Sequence, residues 1–199
     1  MSEDRLSKQI EFLVEIDKLK TIFRNAFLVA DPDRKENSAE HSWHTAMMAL
    51  ILPEYAQIKV DSSRLIKMML VHDVIEVDAG DTNIYDKQAA MDKTTRENRA
   101  AQRIFGLLPA DQRQEMLELW QEFEKGITPE AKFARALDRL LPLLHNYYTE
   151  GKRWKEDKIT YEMALPVYQD IQKNCPALWE FALAIIKECV SKGYFADSH

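Results

Sequence analysis

The sequence predicts an all-α protein, and three observations carry that expectation. Breakers are scarce, with five Gly and seven Pro in 199 residues, whereas a strand-and-turn architecture needs punctuation every ten residues or so. Apolar residues recur at spacings of three and four, as on one face of a helix. Thr128-Pro129 pairs a capping side chain with a proline at the first helical position, a strong helix-start signal.

Ile10, Leu13, Val14, Ile16, Leu19, Ile22 and Phe23 form one stripe, so the spacing predicts a helix from about residue 3 to 28, stopped by Asp31-Pro32-Asp33. Ser38 caps a second helix, with Glu40 in its first turn and Pro53 at its end. A third starts at Asp61 or Ser62 and turns Leu65, Met69, Leu70 and Val71 inward. Past Ala79-Gly80-Asp81 comes a charged helix from about Ala89 to Phe105, in which Arg96, Glu97, Arg99 and Arg103 read as a solvated face. Helices follow at about 110 to 124 and 129 to 149, then a C-terminal pair split by Asn174-Cys175-Pro176. The expected organisation is one compact multi-helix bundle over residues 1–199, without internal repeat or linker.

Lys+Arg 27 against Asp+Glu 33 gives a net charge of -6, which argues against a protein that grips a nucleic-acid backbone, since that needs clustered Lys and Arg. The longest apolar run, Ala46 to Leu52, is far shorter than the roughly 20 residues that span a bilayer, and Met1-Ser2-Glu3-Asp4 lacks a basic leader. No membrane, no nucleic acid and a cytoplasmic location are therefore expected. Cys175 and Cys189 form no C-x-x-C pair and read as reduced thiols.

Four of the five histidines are candidates for chemistry. His72-Asp73 follows the apolar run Met68-Met69-Leu70-Val71, which draws both polar groups inward at roughly 2–7 kcal/mol each unless they find a partner. A metal ion is one such partner; a capped helix end is the plainer alternative. Glu76 lies four residues after His72 on the same side. His41 sits early in the preceding helix, and Asp138 interrupts the apolar run Phe133, Ala134, Ala136, Leu137, Leu140, Leu141. Two His and two Asp from three helices make an N2O2 set suited to one divalent ion: Mn, Fe, Co, Ni or Zn.

The ordered pattern Glu36-Asn37-Ser38-Ala39-Glu40-His41-Ser42, His72-Asp73-Val74-Ile75-Glu76, Gly80-Asp81-Thr82 and Ala136-Leu137-Asp138 resembles the HD-domain metal-dependent phosphohydrolases, and within them the 5'-deoxynucleotidase branch. The resemblance covers about residues 10–150, with C-terminal helices at about 159–195 packed on that part. It implies His41, His72, Asp73 and Asp138 as metal ligands, with Mg also a candidate ion. Glu76 is then the acid that assists the attacking water, and Asp81 the acid near the leaving oxygen. Arg24 resembles the arginine directed at the substrate phosphate, followed by Asn25 where the nucleotidases carry tryptophan.

The activity implied is hydrolysis of a small phosphate monoester, with a nucleoside or deoxynucleoside 5'-monophosphate as leading substrate. A phosphodiesterase or triphosphohydrolase on the same fold is the second reading, with Lys87, Lys93 and Arg96 as its candidate basic surface. A non-catalytic metal-binding module is the third, disfavoured by Glu76 and Asp81. No G-x-x-x-x-G-K-[ST] loop is present. His44, three residues after His41, is expected to touch substrate, with a fifth ligand or a packing histidine as alternatives. His145, two turns beyond Asp138, is expected to pack, and His199 has no site role. Leu178, Phe181, Ile185 and Ile186 put apolar residues around the last helix and predict a homodimer.

Overall fold

The computed structural model describes residues 4–86, 88–89 and 91–197; Lys87 and His199 lie outside them. The chain is helical, as predicted. In order come α1 (Arg5–Glu15), a 3-10 segment (Ile16–Thr21), β1 (Phe23–Phe27), β2 (Lys35–Asn37), α2 (Ser38–Ile51), a 3-10 turn (Pro53–Tyr55), α3 (Ser62–Val71) and α4 (Glu76–Ala79). Then follow α5 (Lys93–Phe105), α6 (Ala110–Lys125), α7 (Pro129–Tyr148), α8 (Lys152–Glu156), α9 (Tyr161–Asn174) and α10 (Pro176–Ser191).

The N-terminal segment departs most from expectation. The helix predicted to 28 stops at Glu15, and Phe23–Phe27 is instead a strand antiparallel to Lys35–Asn37, with Phe23 opposite Asn37, Phe27 opposite Lys35 and an irregularity between. The turn at Asp31-Pro32-Asp33 brings the two strands together, closed by Leu28 N–H to the Arg34 carbonyl at 3.0 Å, and aromatic Phe23 and Phe27 suit extended backbone. The stripe does not face the core as a unit: Leu19 is buried, while Ile10, Leu13 and Val14 are exposed by half or more.

Local signals fix the central helices. The α2 cap is Asn37, one residue before the predicted Ser38: its side chain accepts from Glu40 N–H at 2.9 Å, and Glu40 accepts from Asn37 N–H at 3.1 Å, a reciprocal capping box. Asp61 caps α3 by accepting from Ser63 and Arg64 N–H, and Thr128 caps α7 by accepting from Ala131 N–H at 3.2 Å. Leu70 is half exposed on the outer face of α3, whereas Leu65, Met68 and Met69 are buried.

α7 is the axis of the molecule. It packs against α2, α3, α6, α9 and α10, and buries Phe133, Ala134, Leu137, Leu140, Leu141 and Leu143 together with Asp138. Pro142 lies inside it and, having no N–H, leaves the Asp138 carbonyl without its helical donor. One core cluster runs from Leu19 to Phe195. Leu178, Ile185 and Ile186 belong to that core, and only Phe181 of the predicted dimer patch is exposed. Both cysteines are free and buried.

Candidate metal centre

Three helices deliver the polar residues to one point beside α7. α2 carries His41 in its first turn, α3 ends on Val71 so that His72 and Asp73 occupy the turn after it, and α7 carries Asp138. His41 Nε2 is 3.0 Å from Asp138 Oδ1 and 3.9 Å from Asp73 Oδ2. His72 Nε2 is 3.3 Å from Asp73 Oδ1 and 3.7 Å from Asp138 Oδ1. Both histidines are buried.

The outer nitrogens fix the rings. His72 Nδ1 donates to the Met69 carbonyl at 2.8 Å, which leaves Nε2 as a lone-pair donor facing the centre. That Nε2 has no hydrogen-bond partner among the described residues, a costly state for a buried nitrogen. His41 Nδ1 lies 3.1 Å from Glu36 Oε2, a carboxylate–imidazole arrangement common behind metal-ligating histidines. Two imidazole nitrogens and two carboxylates converging around an orphaned lone pair fit a divalent ion.

Two arginines offset part of the charge of these acids. Arg24, on β1, donates to Asp73 Oδ2 at 2.6 Å and stands 3.7 Å from Glu76 Oε1 and 3.8 Å from Asp81 Oδ1. Arg139 donates to Asp138 Oδ2 at 2.9 Å. Burial and Arg24 lower the His41 pKa, but its bonds to Asp138 and Glu36 outweigh them and raise it to about 9. Asp138 is driven up by burial, yet Arg139 and the two histidines carry it well below the usual carboxylate range. Glu76 goes the other way: burial, with Asp73 and Asp81 nearby, lifts it to about 8 although it accepts a 2.5 Å bond from the Ser38 hydroxyl. Asp81 is raised as well, chiefly by burial.

The centre opens on a cavity of about 270 Å³ lined by His72, Asp73, Glu76, Asp81 and Asp138, with Arg24 and Arg139 among its walls. A second cavity of about 110 Å³ shares Arg24, Asp81 and Arg139 and adds Asn25, Tyr85, Asn146, Trp154 and Tyr168. Gly80, at φ +71°, turns the chain so that Asp81 faces both cavities; a side chain there would be strained. Arg96 is not a solvated residue. It donates to the Ala79 and Ala89 carbonyls at 2.6 and 2.9 Å and to Thr82 Oγ1 at 3.3 Å, pinning the loop that carries Asp81.

Seven of the eight predicted residues are therefore grouped: His41, His72, Asp73, Glu76, Asp81, Asp138 and Arg24. His44 is not with them. It lies outside the lining of both cavities, its ring 6.0 Å from that of His145, because three residues of helix turn it past His41 toward the outer surface of α2. Sequence reasoning missed Arg139, Glu36 and Ser38. Glu36 stood within the quoted motif, and Arg139 adjoins Asp138 in sequence, but neither has a spacing that distinguishes it from a surface charge.

Comparison with known proteins gives consistent results. Residues 16–179 match the HD domain family. The human protein named 5'-deoxynucleotidase HDDC2 is 32% identical over 130 residues, 65% of this chain and 62% of the human one, so the match leaves more than a third of that relative uncovered. The Danio rerio protein of the same name is 32% identical over 150 residues, 74% of each chain. The crystal structure called "Predicted metal-dependent phosphohydrolase" from Magnetospirillum magnetotacticum MS-1 superposes with a TM-score of 0.92 at 49% identity, covering 98% of this chain and 97% of that one.

Proposed function

The chain belongs to the HD domain family, and we propose that it is a metal-dependent phosphohydrolase that releases phosphate from a nucleoside or deoxynucleoside 5'-monophosphate. The observation that carries this reading is the convergence of His41 Nε2, His72 Nε2 and the Asp73 and Asp138 carboxylates on one buried point at the wall of a cavity that also holds three arginines, Arg24, Arg135 and Arg139. These four side chains would hold one divalent ion. When bound, it would supply Lewis-acid polarisation of a phosphoryl oxygen and a lowered pKa for water.

The chain's own residues do the rest. Arg24 presents its guanidinium to the phosphate, exchanging part of its present contact with Asp73 for phosphoryl oxygens. Arg139 neutralises charge on the other wall of the cavity. As the water oxygen bonds to phosphorus and the bond from phosphorus to O5' breaks, Glu76, on the cavity wall beside Asp73, accepts the water's proton as a carboxylate. Asp81, its pKa raised chiefly by burial, gives a proton to the departing 5'-oxygen. The sugar enters the adjoining cavity, where Tyr85, Trp154 and Tyr168 offer aromatic faces and Asn25 and Asn146 offer amides. Asn25 stands at the cavity wall where the nucleotidases carry tryptophan, so discrimination at the sugar rests on hydrogen bonds here.

A triphosphohydrolase or phosphodiesterase is the second reading, favoured by Lys93 and Arg135 on the larger cavity; Arg96 is already committed to its loop. A phosphate-release screen of the common ribo- and deoxyribonucleoside monophosphates, with Mn, Co, Ni, Mg and a chelator control, decides between them. Release from monophosphates, abolished by chelator, is expected. Turnover of triphosphates or diesters alone would overturn the monoesterase reading.

No helix is long and apolar enough to cross a membrane among the described residues. We place the protein in the cytoplasm and read residues 1–199 as a single HD domain, on the support of its one core cluster. A homodimer remains our reading, moved from α10 to the outer face of α2, where Trp43, Met47, Leu50 and Ile51 are exposed along one stripe. Light scattering of Met47→Glu against the parent tests it.

A further inference from the structure

His41 has two polar sides. Nε2 faces the centre described above, and Nδ1 faces Glu36. Behind Glu36, away from both cavities, a second donor set is assembled: a Glu36 carboxylate oxygen, a ring nitrogen of His44 and a ring nitrogen of His145 all lie within 4.8 Å of one another. His145 comes from α7, two turns beyond Asp138, and His44 from α2, one turn beyond His41. The two packed helices thus each bear a ligand for both sites, about one turn apart on α2 and two turns apart on α7.

The observation that points to an occupant is His145 Nδ1. His145 is 3% exposed, and this nitrogen has no hydrogen-bond partner among the described residues. It is 3.8 Å from Glu36 Oε2, too far for a hydrogen bond and about the separation of two atoms that share an ion. Glu36 is 1% exposed and is held on one side by His41, with Arg24 Nε at 3.7 Å. A carboxylate has lone pairs enough to accept from His41 and still ligate a cation. His44 is the exposed member of the set.

We propose that Glu36, His44 and His145 form a second cation site, selective for zinc. Two imidazoles and one carboxylate, with a fourth position open to solvent, are a zinc donor set; Mg and Ca, which demand mostly oxygen ligands, are disfavoured. The two sites are joined through Glu36 and His41, so zinc on Glu36 reinforces the carboxylate that orients the first site's ligand. The proposal does not depend on the phosphohydrolase reading.

The test uses the full chain without an affinity tag, stripped by chelator, in the double variant His72→Ala, Asp73→Ala, which removes the first site. Zinc titration by calorimetry, with Co substituted for a visible absorption signature, should give one equivalent in this variant and two in the parent. Adding His44→Ala or His145→Gln should weaken the remaining equivalent more than about 100-fold. One equivalent in the parent and none in the double variant would overturn the second site, as would binding that both added substitutions leave unchanged. Circular dichroism checks folding; should His145→Gln unfold the chain, the half-exposed His44→Ala carries the decision. None of these readouts needs an active enzyme, so failure of the site and failure of the proposed activity are told apart.

Discussion

Two sets of Arg–carboxylate contacts in this molecule use the same chemistry and carry different weight. On the surface Arg5 meets Asp111 through paired bonds of 2.8 and 2.7 Å, with both side chains more than half exposed. Inside, Arg24 meets Asp73 at 2.6 Å and Arg139 meets Asp138 at 2.9 Å beside buried histidines. Geometry alone barely distinguishes them. Environment does: water screens the outer pair almost to nothing, while the inner charges have been desolvated and depend on one another. The inner cluster persists because each charge answers another, and its members are replaceable only together or by an equivalent charge.

Breaking the inner set at its centre should have the largest effect. Asp138→Asn removes a charge that answers His41 and Arg139. Stoichiometric metal should be lost, phosphate release should fall by more than about 10³-fold, and the fold should weaken by roughly 3–5 kcal/mol; elemental analysis and thermal melts check each part. Retention of parental metal content would remove Asp138 from the ligand set. Next comes Arg24→Ala, which leaves Asp73, Glu76 and Asp81 without their shared cation. A loss of about 10²-fold in kcat/KM is expected, recovered only in part by Arg24→Lys because a single ammonium cannot form the planar fork.

The inner cluster is also sensitive to pH. Glu76 in the folded, metal-free chain titrates at about 8 against an ordinary 4.5. Its folded pKa is raised, so the stability it contributes is full below pH 4.5 and is lost as pH rises through 8. Chelator-treated protein should therefore lose melting temperature between about pH 5 and 8, and Glu76→Gln should flatten that slope. His41, raised to about 9, extends the same loss to higher pH, so the slope above pH 8 should survive in Glu76→Gln. A parental slope unchanged by Glu76→Gln would mean that Glu76 is not the group responsible. The smallest effect belongs to the surface: Arg5→Ala should move the melting temperature by less than about 2 °C. A larger shift would show that exposed pairs here do more than their solvation allows.

How much of this was legible before the fold was known varies with the residue. Asp138 announced itself, since an acid inside Phe133–Leu141 must be answered by something. His72-Asp73 did so through the apolar run before it. Arg139 did not, because the side chain next to a buried acid on a helix points about 100° away, and only the approach of β1 and α8 to α7 makes a cavity there for it to line. Arg24 was found by resemblance alone, on a segment whose periodicity predicted the wrong secondary structure. His44 shows the reverse failure: its spacing from His41 put it near the same helical face, but three residues fall short of a full turn and rotate it toward the outer surface of α2.

Local pattern sufficed for the helical class, the cap at Thr128, a helix start at Asp61 or Ser62, and the identity of the polar residues drawn into the core. Each of these depends on contacts within a few positions along the chain, where periodicity and capping chemistry act directly. The strand at Phe23–Phe27, the burial of α10's apolar residues within the chain's own core, and the partition of histidines into two groups on either side of His41 follow from long-range packing. Those depend on which distant surfaces meet, and local propensity is too weak to specify that against the free energy of burying a shared core.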